Sequence, residues 1–166
     1  MNYFIEILKS CWLLLLCLII SRFIGLPANF TPLLACAVFL PFMTDNKYIQ
    51  ILLPVSILIV TDPFLGLYSS MPVVYLCVIS TSLITRLFSE YNFKNMIISG
   101  VSGVLVWHIL VNFSVWYTGI NNVSLISTYL AAIPFDFRLM VSTIIFSILF
   151  YSFGKIFGNF IAASSN

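Results

Sequence analysis

Few side chains in this chain could bind a ligand or do chemistry, and one group of them lies along the fifth apolar segment. His108 is the only histidine. Asn112 follows it by four residues and Trp116 by eight, so the three side chains share one face of a helix. That face could line a cavity. It could equally form a hydrogen bond to a neighbouring helix, with Trp116 at the membrane interface.

A second candidate is Asp62, a carboxylate at the end of an otherwise apolar segment. A charged group near hydrocarbon is costly and usually faces a cavity or a partner. Because proline disfavours the α conformation of the preceding residue, Pro63 predicts that the third helix ends at Asp62. The alternative is that Asp62 only caps the N–H groups that follow it in water. Gly66 permits a turn, and Pro72 suits the first turn of the next helix.

Further candidates lie just beyond this break. Tyr68 lies in the predicted turn, and Tyr75 and Cys77 lie in the first turns of the fourth helix. Cys77 could be a soft metal ligand and His108 an imidazole ligand. The simpler interpretation of Cys77 is a small core side chain, because none of the four cysteines has the CxxC spacing of a zinc site.

A last charged pair precedes the final apolar segment. Asp136 and Arg138 flank the expected start of the last helix, two residues apart, so they do not share a helical face. The favoured role is tethering of loops on one side of the protein, for example by pairing Arg138 with Asp62.

Composition decides what must position these residues. Hydrophobic residues make up 61% of the 166 residues, charged residues 7%, and the mean hydropathy is +1.12. A soluble domain carries roughly 25% charged residues, so this chain is predicted to be an integral membrane protein. Runs such as WLLLLCLII are apolar on every face, which excludes the alternating strands of a β-barrel. We expect an all-α membrane protein with about six transmembrane helices, forming a single domain over 1–166.

The apolar runs predict helices over 3–21, 29–43, 48–62, 71–88, 95–117 and 138–161. The second and third are short for a span of about 20 residues. A long connection, 118–137, is expected between the last two helices. Within it, segment 123–134 is apolar but too short to span, and is predicted to be a surface or re-entrant helix.

Positive charges give the orientation. With the N- and C-termini in the cytoplasm, the inner side holds five basic residues and the outer side two, which follows the positive-inside rule: Lys9, Lys47, Arg86, Lys94 and Lys155 against Arg22 and Arg138. The outer segments are then rich in aromatic, Asn, Asp and Pro residues, which suggests recognition from outside. No phosphate-binding loop, dinucleotide fingerprint or hydrolase motif is present, so we expect neither an enzyme nor a self-powered pump.

Two stretches, LPANFTPLLACAVFLPF and TDPFLGLYSSMPVVYLC, resemble a family of small bacterial membrane proteins described as transport proteins of unassigned specificity. The resemblance covers residues 22–150. It is carried by Asn29, Phe30, Thr31 and Pro32, by Asp62, Gly66, Met71, Pro72 and Tyr75, and by Asn112, Trp116 and the run 131–135. That family is similar to the substrate-binding S components of energy-coupling-factor vitamin transporters, which include solitary cobalamin transporters.

The resemblance implies a six-helix bundle with an outward-facing pocket in the bacterial inner membrane, and uptake of a vitamin or its precursor, with cobalamin the leading guess. It implies a small-molecule substrate and a coupling module of a transmembrane subunit and ATPases, and no nucleic acid. The first helix lacks the Ala-x-x-x-Ala pattern through which many S components dock. No resident cofactor is expected, and His108 or Cys77 would ligate the cobalt of a bound corrinoid.

The predicted substrate-binding residues are therefore drawn from the loops and helix ends on the outer side: Asn29, Asp62, Tyr68, Tyr75, His108, Asn112 and Trp116. The alternative function is a membrane scaffold or assembly protein that binds no ligand. A small integral-membrane enzyme is the third class, and it is the least supported, because a lone histidine with one cysteine makes a poor catalytic set.

Overall fold

The computed structural model describes residues 15–88, 90–119 and 122–164, excepting the side chains of 154–164. Every regular element in these ranges is a helix, which confirms the all-α class. Part of a first helix, α1, occupies 15–23. It is followed by α2 (Leu33–Met43), α3 (Lys47–Leu65), α4 (Met71–Thr85), α5 (Phe93–Tyr117) and α6 (Leu125–Ser164). Most of the predicted first helix, 3–14, lies outside the described residues.

Three helices in the described ranges are long and apolar enough to cross a membrane: Lys47–Leu65, Phe93–Tyr117 and the Leu125–Phe153 part of α6. The chain is therefore a helical membrane protein. The helices α2 and α4 are apolar, but their 11 and 15 residues fall short of the roughly 20 that a full span needs. The described part of the chain therefore shows three helices of spanning length, and the finer number of six spans stays a prediction.

The short helix α2 lies at the centre of the bundle. Its residues from Leu33 to Leu40 are all buried, and it packs against α3, α4, α5 and α6. A helix that is apolar on every side needs cover on every side, which accounts for the unbroken apolar run LLACAVFL.

The prediction that the third helix ends at Asp62 is wrong. The helix α3 continues through Pro63 to Leu65, and the Asp62 carbonyl accepts a hydrogen bond of 2.9 Å from the Gly66 N–H. Proline biases the preceding residue away from the helix, but this helical bond and the buried partners of the Asp62 side chain outweigh that bias. The helix ends instead at Gly66, whose φ of 111° glycine adopts without strain.

The predicted long connection 118–137 is also wrong. The helix α6 begins at Leu125 and contains Pro134, so residues 125–134 of segment 123–134 are the first part of the last helix rather than a separate surface or re-entrant helix. Proline lacks one N–H and clashes with the preceding turn, which bends a helix without always ending it. Asp136 and Arg138 consequently lie inside α6, not at its start.

Small residues let α5 approach its neighbours closely. A Cβ added to Gly103 would lie 2.6 Å from the Thr81 Oγ1 on α4, and one added to Gly100 would lie 3.1 Å from the Thr143 Cγ2 on α6. The N-terminal end of α5 is covered by aromatic rings. Tyr91 lies with its ring centre 5.1 Å from that of Tyr151, and the rings of Phe39, Phe42 and Phe93 complete this aromatic cluster.

Candidate functional site

A cavity of about 550 Å³ lies at the other end of the bundle, between the last turns of α5, the first turns of α6 and the loop before α2. Pockets for small organic ligands have volumes of roughly 300–1,000 Å³. Apolar and aromatic side chains form most of the wall: Trp107, Val111, Val115, Val123, Ala131, Ala132 and Phe135. The polar lining residues are Asn29, Asn112, Ser127, Thr128 and Asp136.

A smaller hollow of about 250 Å³ adjoins this cavity and shares Val115, Val123 and Thr128 with it. Trp116, Gly119 and Asn122 complete its lining. Ser127 and Ala131 of α6 are exposed, so the cavity opens on the side of α6.

One end of the cavity is a hydrogen-bonded group of three side chains from α5 and α6. The His108 Nδ1 lies 2.7 Å from the Asp136 Oδ2, and the Asn112 Nδ2 donates to the same oxygen at 2.9 Å. Asn112 also donates to the His108 carbonyl at 2.9 Å. Asn112 is 7% exposed and Asp136 is 7% exposed, so both are held rigidly at the cavity wall. We call these residues the His–Asn–Asp group.

The bonding pattern assigns the protons. An ionised carboxylate only accepts hydrogen bonds, and the Asp136 Oδ2 has two donors available, the His108 Nδ1–H and the Asn112 amide. An ionised Asp136 therefore requires a proton on the His108 Nδ1. The Tyr129 ring meets the His108 ring edge to face at 5.2 Å, and the Tyr129 hydroxyl donates to the Ile109 carbonyl. The imidazole is thus fixed on two sides.

The position of Asn29 depends on the backbone of the loop before α2. Its φ is 64°, a left-handed conformation that asparagine tolerates better than most residues. Ser142 on α6 holds the loop there, because its hydroxyl accepts from the Thr31 N–H at 3.3 Å and lies 3.2 Å from the Thr31 carbonyl. This contact joins the loop to α6 and places Asn29 at the cavity.

A second polar group lies on α1, α3 and α4. The Asp62 side chain is fully buried and forms a salt bridge with Arg22, which is 18% exposed. The Tyr75 hydroxyl donates to the other carboxylate oxygen of Asp62 at 2.8 Å. Both the capping alternative and the predicted pairing of Arg138 with Asp62 are wrong, because the partner is Arg22. Arg138 instead places its guanidinium 5.0 Å from the Phe135 ring centre.

Tyr68 lies beside this second group, in the loop between α3 and α4. Burial, and then the negative charge of Asp62, raise the pKa of Tyr68 to about 12, against a smaller opposing effect of Arg22. The Tyr68 hydroxyl therefore stays protonated at physiological pH, where it can act as a hydrogen-bond donor.

A family profile matches residues 5–162 of the chain, and its description is a family of unknown function, DUF6580. The chain belongs to the DUF6580 family. No curated protein and no solved structure is significantly similar to the chain. Membership of DUF6580 brings no activity, substrate or partner with it, so the function of this family member has to be argued from the geometry of its site.

In this DUF6580 protein the seven predicted site residues divide between two places. Asn29 and Asn112 line the cavity, and Trp116 lines the adjoining hollow. His108 is bonded to the lining residue Asp136. The other three, Asp62, Tyr68 and Tyr75, belong to the Arg22 group and are not among the described lining residues.

Cys77 is fully buried in the apolar core, among Val74, Val78 and Trp107. Within the described residues, no group of three or more His, Cys, Asp or Glu side chains could hold a metal ion. The two side chains that the sequence offered as metal ligands, Cys77 and His108, are thus a core thiol and an imidazole that is already hydrogen-bonded.

Sequence reasoning missed Asp136 as a cavity residue and Arg22 as the partner of Asp62. Thr128, Ala132 and Asp136 are spaced four residues apart, which places them on one face of a continuous helix. Interpreting Pro134 as a bend rather than a boundary would have revealed that face. No comparable signal in the sequence joins Arg22 to Asp62, because 40 residues separate them.

Proposed function

We propose that this chain binds a small organic solute in the cavity between α5 and α6 and serves the uptake of that solute across a membrane. The observation that carries the proposal is the cavity itself. It has a wall of apolar and aromatic side chains and one end formed by the His–Asn–Asp group. This combination of an apolar wall with a few fixed polar groups is typical of sites for small organic molecules.

The two ends of the bundle differ in a way that fits uptake. The cavity lies toward the end where α5 finishes, whereas the aromatic cluster around Tyr91 covers the end where α5 begins. Among the described residues, Lys47, Arg86, Lys94 and Lys155 lie toward the aromatic end, and Arg22 and Arg138 toward the cavity end. This difference supports a cavity that faces outward and termini in the cytoplasm. A bacterial inner membrane is the location that the resemblance implies, and it is part of the same proposal.

The cavity volume bears on the class of solute. A drug-sized or smaller molecule fits roughly 300–1,000 Å³, and about 550 Å³ lies in the middle of that range. A corrinoid with its nucleotide arm is considerably larger than drug-sized ligands. We therefore favour a smaller vitamin or vitamin precursor over cobalamin, while ligation of cobalt by His108 stays a prediction that a spectral titration with cobalamin can test. Docking onto an energy-coupling module likewise stays a proposal, supported by the resemblance alone.

The proposal is tested by identifying the solute that the protein retains. The protein is purified in a mild detergent, and extracted small molecules are identified by mass spectrometry. In the variant Ala132→Trp the indole fills the cavity, since Ala132 lies in its wall. The matched control is Ile59→Trp, because Ile59 is 56% exposed on α3 and belongs to neither described lining.

We expect one solute to be present with the wild-type protein and the control and absent from Ala132→Trp. Cells that express Ala132→Trp should also lose uptake of that solute. Retention of no solute by the wild-type protein, or equal retention by both tryptophan variants, would contradict the proposal and favour a scaffold that binds no ligand.

A further inference from the structure

We propose that the solute carries a positively charged nitrogen that pairs with Asp136. This inference rests on the proposed function, because it names the chemical class of the solute for the same cavity. It follows from the charges that face the cavity and from the Asp136 carboxylate oxygen that receives no hydrogen bond.

Asp136 has an unused carboxylate oxygen. Both donors that reach it, the His108 Nδ1–H and the Asn112 amide, bind Oδ2. Among the described residues, no donor is bonded to Oδ1, although Asp136 lines the cavity. A carboxylate oxygen at the wall of an apolar cavity is costly to leave unpaired. A solute that brings an N–H donor or a cation would satisfy it.

No basic side chain of the described residues neutralises Asp136 from the cavity wall. Arg22 is bound to Asp62, and Arg138 lies over the Phe135 ring. The helix α2, which packs against α6, carries no charged residue. The titratable groups that face Asp136 are thus His108 and, beyond it, Tyr129, whose hydroxyl is bonded to a backbone carbonyl. Apart from the His108 imidazole that is bonded to it, Asp136 is the one acidic or basic side chain in the described lining.

The aromatic lining suits the same kind of solute. Trp107 and Phe135 line the cavity together with Asp136, and aromatic faces attract organic cations. The Phe135 ring already carries the Arg138 guanidinium, so Trp107 is the aromatic neighbour left for the solute. A carboxylate beside such a ring suits an ammonium attached to an apolar or aromatic body. An anionic solute would meet Asp136 with no compensating charge.

The test uses three probes of one shape: naphthylethylamine, naphthylethanol and naphthylacetate. Binding to the full chain in nanodiscs of zwitterionic lipid is measured by isothermal titration calorimetry, and empty nanodiscs are subtracted. The amine stays charged between about pH 5.5 and 7.5, because alkyl ammonium groups titrate near 10. We expect it to bind roughly ten- to hundred-fold more tightly than the alcohol, the range of a charge-assisted hydrogen bond. The acetate should bind most weakly.

One variant and one control assign the effect. Asp136→Asn keeps the shape and should remove the preference for the amine over the alcohol. The matched control Asp45→Asn removes an exposed carboxylate in the loop before α3 and should change nothing.

The wild-type data decide the question even if a variant does not fold. Equal binding of the three probes, or tighter binding of the acetate, would overturn the cation inference and leave a solute-binding cavity in place. Failure of all three probes to bind would also overturn it, and the mass spectrometry of retained solutes then decides the proposed function separately.

Discussion

The buried pair of Arg22 and Asp62 allows a quantitative test of whether these residues hold the fold or the solute. The Asp62 side chain is fully buried and Arg22 is 18% exposed. Removing one partner of a buried ion pair costs about 3–5 kcal/mol, because the other charge is left unpaired. Arg22→Met strands the fully buried carboxylate, so we expect about 4 kcal/mol. Asp62→Asn strands a partly exposed guanidinium, and about 3 kcal/mol is expected.

The double variant Arg22→Met/Asp62→Asn separates pairing from other effects. Additive losses would sum to about 7 kcal/mol, but the double variant leaves no unpaired charge, and the amide oxygen introduced on α3 can still accept from the Tyr75 hydroxyl. Because an ion pair replaced by neutral groups is often close to neutral in stability, we expect a total loss below about 2 kcal/mol. The coupling energy should then exceed about 5 kcal/mol, the difference between these two losses, which identifies a direct interaction.

The free energy of unfolding of the four proteins can be measured by titration with dodecyl sulfate in mixed micelles, followed by tryptophan fluorescence. Retention of the copurifying solute is measured on the same preparations, and should be unchanged in the double variant, since neither residue is among the described cavity lining. Additive losses would refute the assignment of a buried pair. A stable double variant that has lost the solute would instead return Asp62 to the binding site, as the sequence predicted.

Three further outcomes follow from the packing, the orientation and the titration of Tyr68. Gly103→Ala should lower the free energy of unfolding by about 1–3 kcal/mol through overpacking, because its Cβ would lie 2.6 Å from the Thr81 Oγ1. The loss should be smaller for Gly100→Ala, whose Cβ has its nearest atom at 3.1 Å, and Thr81→Ala should restore stability to Gly103→Ala alone. Equal losses at both glycines would contradict the close contact. In a chain whose native cysteines are replaced by serine, Thr118→Cys should react with an impermeant thiol reagent added outside and Asp45→Cys should not; the reverse pattern would invert the orientation. The difference in tyrosinate absorbance between wild type and Tyr68→Phe should develop near pH 12 rather than near pH 10, because burial and Asp62 raise the pKa of Tyr68 to about 12. The neutral phenol stabilises the fold below about pH 10, and that contribution is lost as the pH rises from about 10 to about 12.

Hydrophobicity and helical spacing predicted the parts of the fold and site that depend on local sequence. The all-α class follows from apolar runs with no alternation, and the spacing of His108 and Asn112 correctly placed them on one face, where they contact each other. Pro72 is in the first turn of α4, as its missing N–H suggests. These inferences need only the geometry of one helix.

The wrong predictions concern proline and long-range pairing. Pro63 was expected to end the third helix, and the last helix was expected to begin at 138. Instead Pro63 lies inside α3, and α6 begins at Leu125 and contains Pro134. Local preference favours a break at such positions, and tertiary contacts decide whether it occurs. The pairing of Asp62 with Arg22 and of His108 with Asp136 joins different helices. Spacing within one helix carries no information about which helices meet, so the two polar groups could not be told apart from the sequence.

The length of α6 connects the cavity to the bilayer. Its 40 residues would extend about 60 Å at about 1.5 Å per residue, about twice the roughly 30 Å of a hydrocarbon core. Such a helix has to tilt, bend or project from the membrane, and Pro134 provides a point at which it can bend. The part before Pro134 is also one wall of the cavity. A thicker or thinner bilayer would change the tilt of the rest of α6 and move that wall relative to α5. We therefore expect the width of the cavity to depend on the acyl-chain length of the lipid.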